Sequence, residues 1–361
     1  MPTIPFLSEE QSAPQSPAAR SAARELLLDV VVTRGDVVES RHAVHAAVVS
    51  ANGELLMSAG NAGLLTWWRS CAKPFQAMPL VESGGLEKLQ WKPDQLALAC
   101  ASHGGEPEHV AIAEGMLASL GLEEGDLACG PHEPLATRGA RLLRESGQRV
   151  TRLHNNCSGK HSAMLAQAVL RGISTAGYEK IDHEIQQDAL RSVALWSGVE
   201  VEKLGVAVDG CGVPVFAMPL ANMALSYARL VNAAARGHAA AARIVHAMTG
   251  NPFLVGGTER FDTALMLACR GKVLCKIGAE GVHTLALVDR GIGLAVKVED
   301  GAPRAQYPAV LALLAQLGEL PDPLPESLRD FAAKPVRNTR GESVGEIRVS
   351  PALLDASGDE G

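Results

Sequence analysis

Short β-rich runs stand near both ends of the chain while alanine-rich helical sequence fills its middle, and this arrangement restricts the fold more than any motif does. Near the start, Val44–Ser50 and residues 54–58 flank Ala51, Asn52 and Gly53, and an Asn-Gly signal between apolar runs predicts a hairpin. Near the end, residues 272–276, 282–288 and Ile292–Val298 are separated by the sequences GAEG and DRG and read as an antiparallel meander. Between them, residues 182–196 and 223–249 carry few Gly or Pro in their interiors, as helices require. Strands from both ends then meet in one antiparallel sheet closed by its termini, with a helical lobe inserted. The expected class is α+β rather than doubly wound α/β.

With 361 residues, 47% of them hydrophobic, the chain has ample apolar sequence for a packed core. Residues 1–22, rich in Pro, Ser, Ala and Gln without periodicity, read as a flexible leader, and residues 351–361 as a flexible tail. Residues 23–350 are expected to form a single two-lobed domain carrying the catalytic groups. A net charge of −7 argues against a nucleic-acid partner. No apolar run reaches the ~18–20 residues of a membrane span, and no basic n-region precedes an apolar stretch, so neither a membrane anchor nor a secretory signal is expected. Seven cysteines, an odd number scattered along the chain, point to reduced thiols in the cytoplasm.

Several familiar motifs fail. Around Lys160, His154 stands where a phosphate loop needs its first Gly and His161 where it needs Ser or Thr; after His183, Gln187 replaces the second His of a zincin; and there is no G-x-S-x-G elbow. What remains is a set of polar clusters. Ser70-Cys71-Ala72-Lys73 is an S-x-x-K, whose spacing on a helix puts hydroxyl and amine on one face, so that a neutral lysine can take the serine proton. Pro74 suits a first helical turn and Pro79 suggests a kink. Ser102-His103-Gly104-Gly105-Glu106 follows the apolar run 96–101 and reads as a loop. Cys157 and Lys160 flank the start of a helix closed by Arg171-Gly172, where a thiolate is stabilised. Asp209-Gly210-Cys211-Gly212 ends a strand. The two thiols with His161 could hold Zn²⁺, although the spacing matches no standard structural zinc pattern and buried structural thiols are the commoner case. Lys276-Ile277-Gly278 lies on a late strand. The order S-x-x-K, then Ser, then K-x-G is that of penicillin-binding proteins and class A β-lactamases.

The segments VESRHAVHAAVV, RSCAKPFQAMPL, CASHGGEP, NNCSGKHSAML, DGCGVPVFAMPL and KIGAEGV, spread from about Arg34 to Arg304, resemble the Rhizobium etli-type L-asparaginases, the class 3 or asparaginase II family. The resemblance implies a serine-β-lactamase-like fold, hydrolysis of L-asparagine to L-aspartate and ammonia, and a homodimer. It implies Ser70 as nucleophile with Lys73 as its base, Ser102 and Lys276 as a second pair, and a zinc site at Cys157, Lys160 and Cys211, flanked by Asp209 and His161, which are expected to orient that site or bind the substrate. Arg69 and Asp209 are candidates for the α-carboxylate and α-ammonium of the substrate. Cys71 departs from the family pattern by adding a thiol beside the nucleophile, and the leader has no counterpart. Two other readings stay open: a serine–lysine hydrolase of glutamine, a peptide or a β-lactam, and a non-catalytic thiol or metal-binding protein.

Overall fold

The two central strands of the main sheet come from opposite ends of the chain, as the sequence predicts. In the computed structural model, which describes residues 23–350, Val44–Ser50 pairs antiparallel with Ile292–Val298 along its length, from Val44↔Val298 to Ser50↔Ile292. The predicted hairpin joins Val44–Ser50 to Leu55–Ala59, and the meander runs through Val273–Ile277, Val282–Leu287 and Ile292–Val298. Every residue of Val282–Leu287 and Ile292–Val298 is buried, including the polar His283, Thr284 and Lys297, because both strands lie inside the sheet with helices packed on it. Helices Leu220–Ala235 and Pro303–Gln316 pack on this sheet. The expected leader and tail lie outside the described residues.

Among the described residues, the single expected sheet is one of three. Arg24–Leu26 adds to the main sheet in parallel with Leu55–Ala59, so that sheet is not wholly antiparallel. A second sheet, again built from both chain ends, has the order Lys334–Arg337, Ser343–Val349, Val30–Arg34, Val37–His42. A third joins Leu65–Trp67, Pro214–Pro219 and Gly205–Val208. This small sheet matters for function, because two of its strands lead directly into candidate site segments at Arg69 and Asp209.

The helical middle is as expected in kind. Residues 182–196 correspond to Glu184–Ser197, but 223–249 is two helices, Leu220–Ala235 and Ala239–Gly250. The break falls at Gly237, whose φ of +90° leaves helical space, and the His238 side chain accepts from Ala241 N to start the next helix. The class is α+β. Among the described residues, no helix is long and apolar enough to cross a membrane.

Candidate active site

Ser70 is positioned by a rigid aromatic wall. It lies in a single 3-10 turn, Arg69–Ala72, that feeds helix Lys73–Glu82 through Pro74. Trp68 before the turn is fully buried, donates from Nε1 to Thr284 Oγ1 at 2.9 Å, and stacks on Phe75 with ring centroids 5.0 Å apart. Tyr227 meets Phe75 edge-on and donates its hydroxyl to Cys71 O at 2.9 Å. Arg69 has φ +52°, a left-handed conformation that costs a non-glycine residue roughly 1–3 kcal/mol and is sustained by this packing. The K-x-G strand closes the other side. A Cβ on Gly278 would stand 3.1 Å from both Cys71 Sγ and Trp68 O, so glycine there lets the strand end approach the Ser70 turn.

The structure gathers Lys73, Ser102 and Lys276 into one buried group. Ser70 lies in the 3-10 turn and Lys73 opens the helix that follows it. Lys73 Nζ donates to Ser102 Oγ at 3.1 Å, to Asn156 O at 3.2 Å and to Ala101 O. Lys276 Nζ donates to the same Ser102 Oγ at 2.7 Å and to Ile277 O at 2.8 Å. Both lysines are fully buried and Ser102 is 3% exposed, whereas Ser70 is half-buried. Burial, followed by the charge of Lys73, pulls Lys276 down to about 8. Ser102 owes its place to helix Pro93–Ala99, which the apolar run 96–101 completes, and to a bond from its own N–H to Val255 O.

Arg69 and Asp209 come together as a pair, Nε to Oδ1 at 2.9 Å. Burial would raise the Asp209 carboxyl, but Lys160, Arg69 and Gly210 N–H outweigh it and hold it below the usual range. Cys157 caps helix Ser158–Arg171, and Lys160 Nζ donates to Cys211 Sγ at 3.1 Å. Of the two thiols, Cys211 rather than the helix-start Cys157 is favoured as the thiolate, because Lys160 donates to it. A hydrogen bond from Cys157, with Lys160 beside it, lowers Cys211 to about 4, while the same bond and burial push Cys157 up to about 12. Burial works against the Lys160 ammonium, yet Cys211, Cys157 and Asp209 hold it above its ordinary value. Two sulfurs and an amine make a donor set that fits zinc, provided the metal displaces the protons of Lys160 and Cys157. His161 is buried behind this set, with Nδ1 at 2.6 Å from Tyr178 OH and Nε2 without a hydrogen-bond partner among the described residues. Burial, then Lys160, lowers it to about 3, so it is a neutral imidazole.

Cys71 is an inert neighbour. Its thiol is buried, pushed up to about 12 by burial, and donates to Lys276 O at 2.9 Å. Sequence reasoning missed Asn156, whose carbonyl holds Lys73, and Tyr178, whose hydroxyl meets His161. It also missed Asp262 and His283, which lie behind Lys276. Asn156 stood inside a quoted motif; the other three carry no spacing signal. Asp262, Cys275 and His283 bring ligand-type atoms within 4.8 Å of one another; Asp262 Oδ2 accepts from Ile277 N, and Oδ1 lies 3.0 Å from His283 Nε2.

A family model described as L-asparaginase II matches residues 30–349. No curated protein is similar enough to match. Among solved structures, the chain is similar to a probable glutaminase from Bacillus subtilis complexed with 6-diazo-5-oxo-L-norleucine. That similarity has 12% identity and a TM-score of 0.35, covering 77% of this chain and 84% of the other. It is also similar to an octameric penicillin-binding protein homologue from Pyrococcus abyssi, at 16% identity and a TM-score of 0.37 over 77% of this chain and 75% of the other. Both likenesses are distant, and neither bears on activity.

Proposed function

Because the chain belongs to the L-asparaginase II family, and so to the amidohydrolases, we propose that it hydrolyses L-asparagine to L-aspartate and ammonia through an acyl-enzyme on Ser70. The observation that carries this reading is the bracketing of Ser102 Oγ by Lys73 Nζ at 3.1 Å and Lys276 Nζ at 2.7 Å, with the half-buried Ser70 in the turn that leads into Lys73. Such a chain can accept a proton from a nucleophile and return it to a leaving nitrogen.

Ser70 Oγ attacks the side-chain amide carbon. Lys73 swings from Ser102 to take the Ser70 proton, after passing one of its own through Ser102 Oγ to neutral Lys276, so the net transfer runs from Ser70 to Lys276. The Ser70 N–H, at the start of the turn, would be the donor to the developing oxyanion. The reverse relay then protonates the amide nitrogen, the C–N bond breaks and ammonia leaves. Water, deprotonated by the same relay, cleaves the β-aspartyl ester and frees Ser70. Arg69 and Asp209, already side by side with opposite charges, take the α-carboxylate and α-ammonium. Cys157, Lys160 and Cys211 would hold zinc. When bound, it would supply a fixed positive charge and Lewis acidity beside the substrate. His161 and Tyr178 support the helix that carries Lys160. A homodimer is part of the proposal, read by sedimentation.

One second reading has an observation in its favour: both lysines touch Ser102, so Ser102 could itself be the nucleophile. Its burial against the half-buried Ser70 favours Ser70. Ammonia release from asparagine and from glutamine, by wild type and Ser70→Ala, tests the function. Release from asparagine that vanishes in the variant supports it. Ammonia from glutamine alone would reassign the substrate, and none from either would overturn the reading.

A further inference from the structure

Lys276 is held from behind by a buried polar chain that the proposed reaction does not use. Asp262 lies in the first turn of helix Phe261–Ala268, 2% exposed, and its Oδ2 accepts from Ile277 N at 2.8 Å. Ile277 O in turn accepts from Lys276 Nζ at 2.8 Å. The carboxylate thus pins the residue whose carbonyl pins the amine. Asp262 Oδ1 meets His283 Nε2 at 3.0 Å, and His283 stands directly opposite Ile277 across the paired strands. Gln306 lies behind, its Nε2 at 3.2 Å from His283 Nδ1 and bonded to Val282 O at 2.6 Å. Burying a carboxylate without a role is expensive. Here burial would raise Asp262, but His283, Lys276 and the Ile277 N–H outweigh it and keep the acid ionised, at about 2.

We infer that Asp262, backed by His283 and Gln306, is a positioning residue that fixes the place and charge balance of Lys276. The inference rests on the amide-hydrolysis reading for its kinetic test, but not for its spectroscopic one. The groups facing Lys276 are Lys73 from the first helix, Cys71 from the turn before it, Cys100 at the end of helix Pro93–Ala99, and Arg260 and Asp262 beside helix Phe261–Ala268. Lys73 and Arg260 oppose its charge, the two thiols are buried and neutral, and Asp262 is the anion that offsets the cations. Removing that anion therefore makes Lys276 easier to deprotonate. Removing the hydrogen bond as well lets the amine shift.

Two variants separate these effects. Asp262→Asn keeps an acceptor for Ile277 N and loses the charge; Asp262→Ala loses both. NMR of isotope-labelled lysine, with Lys276→Met to assign the signal, reads the Lys276 titration midpoint without substrate. The midpoint is expected to move down in Asp262→Asn, and the acid limb of kcat/KM to move with it while the melting temperature holds. Asp262→Ala is expected to lose about 10²-fold in kcat, as for a displaced catalytic group, with KM little changed. An unmoved midpoint and acid limb in Asp262→Asn would overturn the inference, as would a loss in Asp262→Ala that only follows unfolding. If asparagine is not a substrate but the midpoint moves, the proposed function fails and the positioning role stands. If asparagine is turned over and neither midpoint nor limb moves, the positioning role fails alone.

Discussion

Two lysines share one serine oxygen, so their surroundings decide which of them gains and loses the proton. Lys276 is the one that burial and the neighbouring Lys73 charge bring down to about 8. For a group whose neutral form accepts the proton, activity should rise with pH through about 8 and level off above it. The kcat/KM profile checks this, and Lys276→Met should remove the limb and lower kcat by about 10²–10⁴-fold, the usual worth of a general acid–base group. Ser70→Ala and Lys73→Ala should each abolish turnover, and the double variant should be no worse than either, because groups acting as a unit do not add. Losses that multiply would separate their roles. The residues of this site were largely legible because each stands in a short polar cluster between apolar runs. What the sequence did not reveal was their pairing. The S-x-x-K spacing suggests Lys73 beside Ser70, but nothing in that spacing foretells the bond from Lys73 to Ser102. Asp262 and His283 were invisible for a different reason: they meet only because helix Phe261–Ala268 packs on Val273–Ile277, whose register on Val282–Leu287 sets His283 opposite Ile277.

At the level of elements, the turn carrying Ser70 is held between the aromatic wall and the end of the K-x-G strand. Phe75 touches Trp68, Trp196 and Tyr227, so Phe75→Ala should cost about 3–5 kcal/mol of stability, measured by denaturant unfolding. Gly278→Ala is a finer probe. Its Cβ would press on Cys71 Sγ and Trp68 O from 3.1 Å, and the expected result is a lower kcat with a nearly unchanged unfolding midpoint. The main sheet was readable because its hairpin and meander have strong turn signals and long apolar runs. The second sheet was not. Val30–Arg34 is short, Lys334–Arg337 contains a proline, and their partner Ser343–Val349 closes on Thr33 across 313 positions of sequence. No local pattern encodes a pairing over that distance.

For the whole molecule, the fold brings the small sheet, the Ser158–Arg171 helix and the main sheet to one place. The S-x-x-K turn, the thiol pair and the lysine–serine chain therefore lie together although their segments are far apart in sequence. Protein incubated with Zn²⁺ should hold the metal by elemental analysis, and Cys157→Ser or Cys211→Ser should lose it. Chelation should weaken asparagine affinity more than it slows acylation, and leave the fold intact by circular dichroism, because an open three-ligand site is not what holds these elements. Protein that never takes up zinc would remove the metal from the proposal and leave the serine–lysine chemistry standing. That chemistry is tested most directly by quenching the enzyme during turnover of L-asparagine and mapping the covalent adduct by mass spectrometry. A β-aspartyl ester on the peptide carrying Ser70, absent in Ser70→Ala, is the predicted result; an adduct on Ser102, or steady ammonia release by Ser70→Ala, would contradict it.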